Sequence, residues 1–399
     1  MEVKFDRFKL ALPFCARMSS RSLFTEHSIT LNLELPVKDV HKQMEVFYNP
    51  VMASNRNIAI LLLNSLPHQK MNLADPLAAS GIRSLRFLKE LKKEKINHLW
   101  VNDVKGNFVR VFKENAKKNN IFMRPITIGN EDASLFLLNR VNDRQKPKDS
   151  CGYFDYIEID PFGSPNSYLD AAIARIAGDG IIAVTATDTA ALSGTYEKVT
   201  RRKYWARPLR NYLMHELGIR ILIRKIQLQA VAFDKALIPL LSYSKDHYYR
   251  LYLQSQKGKS RCDEVLRKHQ YFLFCHACLN FKTSRFNREG CRCGREFDFA
   301  GPLWIGSLGD KKLLATMANN NRKNNLFPEE QKLMDLLAAE AKIDQVGFYD
   351  LQVLARKYKC DAPKIEGVLR KVKGVRTHFS GTGVKTERSK EDLRKVMNH

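Results

Sequence analysis

Short apolar runs alternate with amphipathic helical stretches through the first two-thirds of this 399-residue chain. The predicted strands are 71–74, 99–102, 126–128, 156–159 and 181–185. The stretch between the first two runs, 82–91, carries an apolar residue at every third position, which is typical of a helix with one buried face. Repeated alternation of strand and helix predicts a parallel sheet with helices on both faces, the Rossmann-like α/β class.

Polar residues follow the predicted strands at the sheet edge where open α/β sheets bind ligands. Asp103 is placed to accept hydrogen bonds from two ribose hydroxyls, and Asp132 followed by Ala133 could contact an adenine. The Ser80–Gly81 turn lets the backbone approach a ligand. A G-x-G-x-x-G loop is missing after the first strand, so S-adenosylmethionine, which has no phosphate, fits better than a dinucleotide. Each acid taken alone is also an ordinary helix cap or turn residue.

The fourth strand ends in the hexapeptide Asp160-Pro161-Phe162-Gly163-Ser164-Pro165, a rigid turn at the ligand-binding edge. Methyl transfer to an exocyclic amine needs hydrogen-bond acceptors rather than a strong base. The Asp160 carboxylate and the Pro161 carbonyl can accept the two N–H groups, and Phe162 can stack on a planar base. The alternative is a simple turn that closes a core strand.

The charge of the chain indicates a polyanionic partner. Lys and Arg number 67 against 42 Asp and Glu, a formal net charge of +25. That excess suits an enzyme that binds many phosphates. No apolar run approaches the roughly 20 residues needed to span a bilayer, so we expect no membrane partner and a cytoplasmic protein. No obligate protein partner is expected.

Four cysteines, Cys275, Cys278, Cys291 and Cys293, have the spacing of a zinc ribbon. Four thiolates make a closed site, so the predicted zinc is structural and activates no water. The alternative is a metal-free hairpin.

A different pattern begins after residue 309. Helices are predicted from 328, over 349–358 and over 363–372, followed by a strand at 375–379 and a Gly-rich wing at 380–383. This order predicts a winged-helix-like module that contacts RNA. We therefore predict three parts: an amino-terminal arm with the methyltransferase domain (1–256), a zinc-ribbon-like insertion and linker (257–310), and a winged-helix-like RNA-binding module (311–399), for which the resemblance below implies tRNA. The last two form a smaller α+β carboxyl-terminal region.

Collinear segments across most of the chain resemble the tRNA (guanine-26-N2)-dimethyltransferases of archaeal and eukaryotic type. The matching segments are 46–52 with Asn55-Arg56, 80–83, 102–103, 160–165, 184–188, 202–204, 208–210, 215–216, 245–250, 301–304 and 376–380. The resemblance implies that Arg56, Arg83, Asp103, Asp132 and Ala133 contact S-adenosylmethionine. It also implies that Asp160, Pro161 and Phe162 form the amine-binding loop, and that Phe47 faces Phe162 so that the two rings sandwich the guanine.

The resulting hypothesis is an S-adenosylmethionine-dependent enzyme that dimethylates N2 of guanine 26 in tRNA. Two alternatives stay open at this point: an amine methyltransferase acting on ribosomal RNA or DNA bases, and a non-catalytic RNA-binding protein that retains the fold.

Overall fold

The computed structural model describes residues 22–33, 47–139 and 152–397. The strands are β1 (Ser22–Glu26), β2 (Ile29–Leu33), β3 (Met71–Asp75), β4 (Ile96–Asn102), β5 (Ile126–Gly129), β6 (Phe154–Ile159), β7 (Ile176–Ala186), β8 (Lys235–Lys245), β9 (Tyr248–Lys257), β10 (His269–Phe274), β11 (Phe281–Ser284), β12 (Asp298–Trp304), β13 (Tyr349–Asp350), β14 (Val375–Thr377) and β15 (Ser380–Lys385). The helices are α1 (Ala53–Ser65), α2 (Ile82–Glu90), α3 (Phe108–Lys118), α4 (Ala133–Asn139), α5 (Leu169–Arg175), α6 (Thr189–Leu192), α7 (Glu197–Tyr204), α8 (Met214–Val231), α9 (Lys259–Arg267), α10 (Lys311–Asn324), α11 (Gln331–Glu340), α12 (Leu351–Tyr358), α13 (Ile365–Val372) and α14 (Lys390–Met397).

A seven-stranded sheet in the order β5-β4-β3-β6-β7-β9-β8 forms the centre of the molecule. Strands β3 to β7 are parallel, and β9 and β8 add an antiparallel edge. All five predicted strands are present, which confirms the Rossmann-like class. The chain first moves outward from β3 to β5 and then returns to the other side of β3 with β6. This reversal creates a topological switch point between β3 and β6, where open α/β sheets bind ligands.

Side chains alternate along β6 and so supply two separate cores. Ile157 and Ile159 pack with α4, α5 and α8, whereas Tyr156 packs with α1, α2 and α3 on the other face. Glu158 also faces α2, and it is the one charged side chain of β6 that is fully buried. A strand that is apolar on both faces is expected for a central parallel sheet, so a buried acid there requires a partner.

The cysteines lie in a small antiparallel sheet, β11-β10-β12, whose last strand packs on α8. A second small sheet, β13-β15-β14, is combined with α11, α12 and α13 in the chain order of a winged helix. Helix α10 packs on α1, and Leu314, Met317 and Met334 belong to the same core as the central sheet. The three-part division stays a prediction, and residues 1–21 of its arm lie outside the described ranges.

The predicted Gly-rich wing at 380–383 is instead the start of β15, the central strand of its sheet. The turn between β14 and β15 falls at His378 and Phe379. A Cβ atom on Gly383 would lie 2.4 Å from the Thr377 side chain and 2.9 Å from the Phe348 ring. Close packing rather than loop flexibility therefore accounts for this glycine.

Across the three described ranges, the structure has no helix with the combined length and apolar character that crossing a bilayer requires.

Candidate active site

The hexapeptide after β6 is fastened to the end of β7. The Gly163 N–H donates to Thr187 Oγ1 at 2.7 Å, and the Thr187 N–H donates to the Gly163 carbonyl at 3.0 Å. Gly163 has a φ of +79°, a left-handed conformation that favours glycine. These bonds hold residues 160–163 as one rigid loop at the switch point, so the acceptor groups of the loop keep a fixed orientation.

Asp160 forms an ion pair with Arg83 through only one of its carboxylate oxygens. The Arg83 Nη2 atom lies 2.5 Å from Asp160 Oδ2, and the Asp160 side chain is 20 % exposed. An ionised carboxylate offers about four acceptor positions. Asp160 therefore has acceptor capacity left for an amine while it stays paired with Arg83.

A buried chain of charges anchors Arg83. Its Nη1 group donates to Asn55 Oδ1 at 3.1 Å and lies 3.6 Å from Glu158 Oε2. Arg250 binds both oxygens of Glu158, at 2.5 Å and 2.8 Å, and Thr185 Oγ1 accepts from Arg250 and from Asn55. The order Arg250–Glu158–Arg83–Asp160 alternates in sign, which compensates for the burial of these charges.

The pKa values of the acids near this row of charges depend on burial and on the guanidinium groups of Arg83 and Arg250. Burial raises the pKa of Glu158, but Arg250 and Arg83 more than offset it, so that pKa lies below its ordinary value. For Asp75, at the end of β3, the effect of burial on the pKa outweighs that of the neighbouring arginine. Burial raises its pKa to about 7, even though Arg83 and the Ser84 hydroxyl favour the charged form. Glu158 is therefore the permanent anion between the two arginines.

Phe47 and Phe162 are in contact, as the resemblance implied. Their ring centroids are 4.4 Å apart with an interplanar angle of 80°, an edge-to-face pair. A base between two rings requires the rings to be about 7 Å apart, twice the van der Waals separation of ~3.5 Å. The rings are therefore neighbours, and a planar base between them would have to separate them and turn them parallel.

Arg56 binds Glu26 and the segment that directly follows Phe47. Its Nε and Nη2 atoms donate to the two oxygens of Glu26 at 2.7 Å and 2.5 Å, and Nη2 also reaches the Asn49 carbonyl at 3.1 Å. The Tyr48 hydroxyl donates to the same Glu26 carboxylate at 2.7 Å. The arginines and this tyrosine lower the pKa of Glu26 to about 2 against the effect of burial. Both predicted cofactor arginines, Arg56 and Arg83, thus bind carboxylates of the protein in this structure, and their contact with a cofactor stays a prediction.

The predicted cofactor acids lie at the ends of β4 and β5. Asp103 accepts hydrogen bonds from the Ala79 and Lys105 N–H groups, at 2.8 Å and 3.0 Å, and so lies against the turn after β3. Gly81 has a φ of +75°, and a Cβ there would lie 2.4 Å from the Phe112 ring, so no other residue fits. Asp103 and this turn form one wall beside Asp160, as expected for a ligand at adjacent strand ends.

Asp132 caps α4 by accepting from the Ser134 and Leu135 N–H groups, and Ala133 beside it is buried. The cap is the ordinary structural role for such an acid. Val104 was not predicted from the sequence, although it is 72 % exposed directly after Asp103.

The four cysteines converge at one point. Their sulfur atoms all lie within 4.8 Å of one another, with Cys275 and Cys293 at 3.5 Å and Cys278 and Cys291 at 3.5 Å. Four sulfurs in such a cluster fit the tetrahedral thiolate set that zinc prefers. Asp298, which holds His276 at 3.0 Å, links this hairpin to Arg207 near the central sheet.

Sequence reasoning missed the supporting residues of the site: Asn55, Glu158, Thr185 and Arg250. Asn55, Thr185 and Arg250 lie in segments that carry the resemblance, and Glu158 gave its own signal, because a lone charge inside an apolar strand must be paired.

Comparison with known proteins gives one consistent result. The family model of N2,N2-dimethylguanosine tRNA methyltransferases matches residues 22–398. A tRNA (guanine(26)-N(2)/guanine(27)-N(2))-dimethyltransferase of Aquifex aeolicus is 38 % identical over 91 % of this chain and 92 % of its own length. A tRNA (guanine(26)-N(2))-dimethyltransferase of Methanothermobacter thermautotrophicus is 33 % identical over 93 % and 97 %. The solved structure of Trm1 from Pyrococcus horikoshii in complex with S-adenosyl-L-methionine has a TM-score of 0.81 and 30 % identity, covering 94 % of this chain and 99 % of that one.

Proposed function

Because the chain belongs to the N2,N2-dimethylguanosine tRNA methyltransferase family, we propose that Asp160 and its loop hold the N2 amine of guanine 26 during methylation. The enzyme is an S-adenosylmethionine-dependent tRNA guanine-N2 methyltransferase, and its product is N2,N2-dimethylguanosine. The observation that carries the assignment of residues is the rigid loop at the switch point, where the Asp160 carboxylate stands beside the Phe47–Phe162 pair.

The loop residues perform alignment rather than strong base catalysis. Asp160 and the Pro161 carbonyl accept the two N2–H groups, which directs the nitrogen lone pair at the donor. S-adenosylmethionine supplies the sulfonium methyl group. The N2 lone pair forms the new C–N bond while the C–S bond pair leaves with sulfur, and N2 then loses one proton. A second round on the monomethylated amine gives the dimethyl product.

The cofactor site proposed for this chain is the wall made by Asp103, the Ser80–Gly81 turn and Val104. Asp103 would accept from ribose hydroxyls, and Val104 would cover one face of the adenine. Arg83 would contact the cofactor while it remains anchored by Asn55 and Glu158. These assignments rest on the position of the residues at adjacent strand ends, next to Asp160.

Nucleoside analysis of unmodified tRNA incubated with labelled S-adenosylmethionine tests the function directly. We expect labelled N2,N2-dimethylguanosine at position 26. Because the Aquifex relative is named for positions 26 and 27, tRNA variants with adenine at either position should be assayed in parallel. Label in another nucleoside, or none, would contradict the proposal.

Phe47→Ala tests the proposed guanine sandwich. Base–aromatic stacking is worth about 1–3 kcal/mol per base, so we expect kcat/KM for tRNA to fall by roughly 10- to 100-fold. Phe47→Tyr should keep most of the activity. Phe122→Ala is the matched control. Phe122 is 87 % exposed and precedes β5, so it lies toward the amino ends of the parallel strands, whereas the site lies at their carboxyl ends. If Phe47→Ala and the control were equally active, Phe47 would have no role in binding the guanine.

We also propose that the cysteine cluster binds one structural zinc ion. Metal analysis should find one zinc per chain in the wild type and none in Cys291→Ser. The variant should also unfold at lower temperature, because the metal stabilises the folded hairpin. Cys360→Ser, outside the cluster, is the control. A metal-free wild type with an unchanged unfolding temperature would contradict the zinc site.

We propose that the protein works in the cytoplasm, where thiolates stay reduced and tRNA is available, and that it needs no obligate protein partner.

A further inference from the structure

One short segment next to the catalytic loop has an unusual charge. Residues 194–210, which we call the α7 rim, contain six basic residues and a single acid, Glu197. The basic residues are Lys198, Arg201, Arg202, Lys203, Arg207 and Arg210. The rim also carries Tyr196, an aromatic side chain that is 59 % exposed. This combination of cations and an exposed ring is typical of surfaces that bind nucleic acid.

Hydrogen bonds attach the rim directly to the catalytic loop. The buried Tyr204 hydroxyl donates to Asp188 Oδ2 at 2.5 Å, and the Ser164 hydroxyl lies within hydrogen-bond distance of it at 3.0 Å. The Asn166 amide donates to the Lys203 carbonyl at 2.9 Å. Lys203 is therefore one hydrogen bond away from a residue only four positions beyond Phe162. The rim and the amine-binding loop form a single rigid unit.

The six cations differ in whether a protein carboxylate neutralises them. Arg201 pairs with Glu197 at 2.7 Å, and Arg207 pairs with Asp298 at 2.5 Å. Within the described ranges, the other four basic residues form no ion pair with an acid. These four are Lys198, Arg202, Lys203 and Arg210, and all four are exposed. An exposed cluster of unpaired cations next to a rigid loop favours an anionic partner.

We propose that the α7 rim binds the phosphates that flank the extruded guanine in tRNA. This inference rests on the proposed function and extends it to the part of the substrate beside the target base. A base that leaves its stack stays joined to its neighbours through two phosphates. Those phosphates therefore lie within one nucleotide of the Phe47–Phe162 pair. Phosphate contacts set register without reading sequence, which matches the positioning that the loop requires.

The test compares Arg202→Gln/Lys203→Gln with a matched control on the same helix, Glu197→Gln/Arg201→Gln. The first pair removes two unpaired cations, whereas the control removes one neutral ion pair from the adjoining positions. The dissociation constant for tRNA is measured between 50 and 300 mM salt with S-adenosylhomocysteine bound. Each lost phosphate contact should reduce the slope of log affinity against log salt by about 0.7–0.9.

We expect the Arg202/Lys203 variant to bind tRNA at least tenfold more weakly at low salt, with the slope reduced by about 1.5. Its affinity for S-adenosylhomocysteine should stay within twofold of the wild type, because the substitutions lie outside the proposed cofactor wall. The control should bind tRNA within twofold of the wild type. Unchanged affinity and slope in the first variant, or an equal loss in the control, would overturn the proposal.

The outcome is independent of the identity of the modified guanine, because it is read from binding. A wild type that binds tRNA through the rim but forms no dimethylguanosine would reject the proposed function and leave the rim in place. If the wild type forms dimethylguanosine but the Arg202/Lys203 variant binds tRNA like the wild type, the rim proposal is rejected and the proposed function stands.

Discussion

Asp160→Asn should lower kcat for tRNA methylation on the order of 10²–10³-fold, while the affinity for tRNA changes by no more than a few fold. We expect the carboxylate to accept a hydrogen bond from one N2–H group. The side-chain amide of asparagine can instead turn its NH2 group toward N2–H, and two donors form no hydrogen bond. A misdirected lone pair lowers the reaction rate by about 10²-fold, and the loss of one preorganised hydrogen bond in a site without water lowers it by about 10²–10³-fold. Single-turnover methylation with saturating cofactor measures the chemical step directly.

Two comparisons make the Asp160 result specific. Asp160→Ala should lose at least as much activity, because it also removes the anion that pairs with Arg83 at 2.5 Å. Asp246→Asn changes an acid in the β8–β9 turn, for which we assign no role in the site, and should stay near wild-type activity. If Asp160→Asn lost tRNA binding in parallel with activity, Asp160 would have a structural role instead.

Glu158→Ala should cost about 3–5 kcal/mol of stability, because it leaves the buried Arg250 and Arg83 guanidinium groups without their shared anion. Neither Arg250 nor Glu158 has exposed side-chain surface, so water cannot replace the lost partner. The free energy of unfolding, from urea denaturation of the variant and the wild type, measures the effect. Glu197→Ala breaks an exposed ion pair on α7 and should cost no more than about 1 kcal/mol.

Glu158→Gln separates folding from positioning. The amide keeps the shape of the side chain and one acceptor for Arg250, so more of this variant should remain folded than of Glu158→Ala. Arg83 would lose a charge partner and Asp160 would be oriented less firmly, so kcat should fall while the affinity for tRNA is retained. Equal stability of Glu158→Ala and Glu197→Ala would show that the buried chain of charges contributes nothing beyond a surface pair.

The sequence predicted polar residues at the ends of adjacent strands, but it did not predict which groups the arginines bind in this structure. Arg56 and Arg83 were expected to contact the cofactor, and in the structure they bind Glu26 and Asp160. Thirty residues separate Glu26 from Arg56, and 92 separate Glu158 from Arg250. A basic residue has many possible acidic partners in a chain with 42 Asp and Glu, and spacing does not select among them.

The sequence by itself determined the features that short-range patterns encode. Short apolar runs between helical stretches predicted the strands of the parallel sheet, the D-P-F-G turn marked the loop after β6, and paired C-x-x-C and C-x-C spacings predicted the cluster of four sulfurs. Local backbone preferences and periodic burial act within a few residues, so they are visible in one dimension.

Only the tertiary structure decided which distant side chains meet. It paired Arg83 with Asp160, placed the α7 rim beside the loop, and made Gly383 a packing position rather than a wing. These contacts depend on strand order and on how helices cross the sheet, because burial forces each polar group to find a partner among whatever the fold brings near. Which distant groups become neighbours is a property of the packed chain, and no local sequence pattern contains that information.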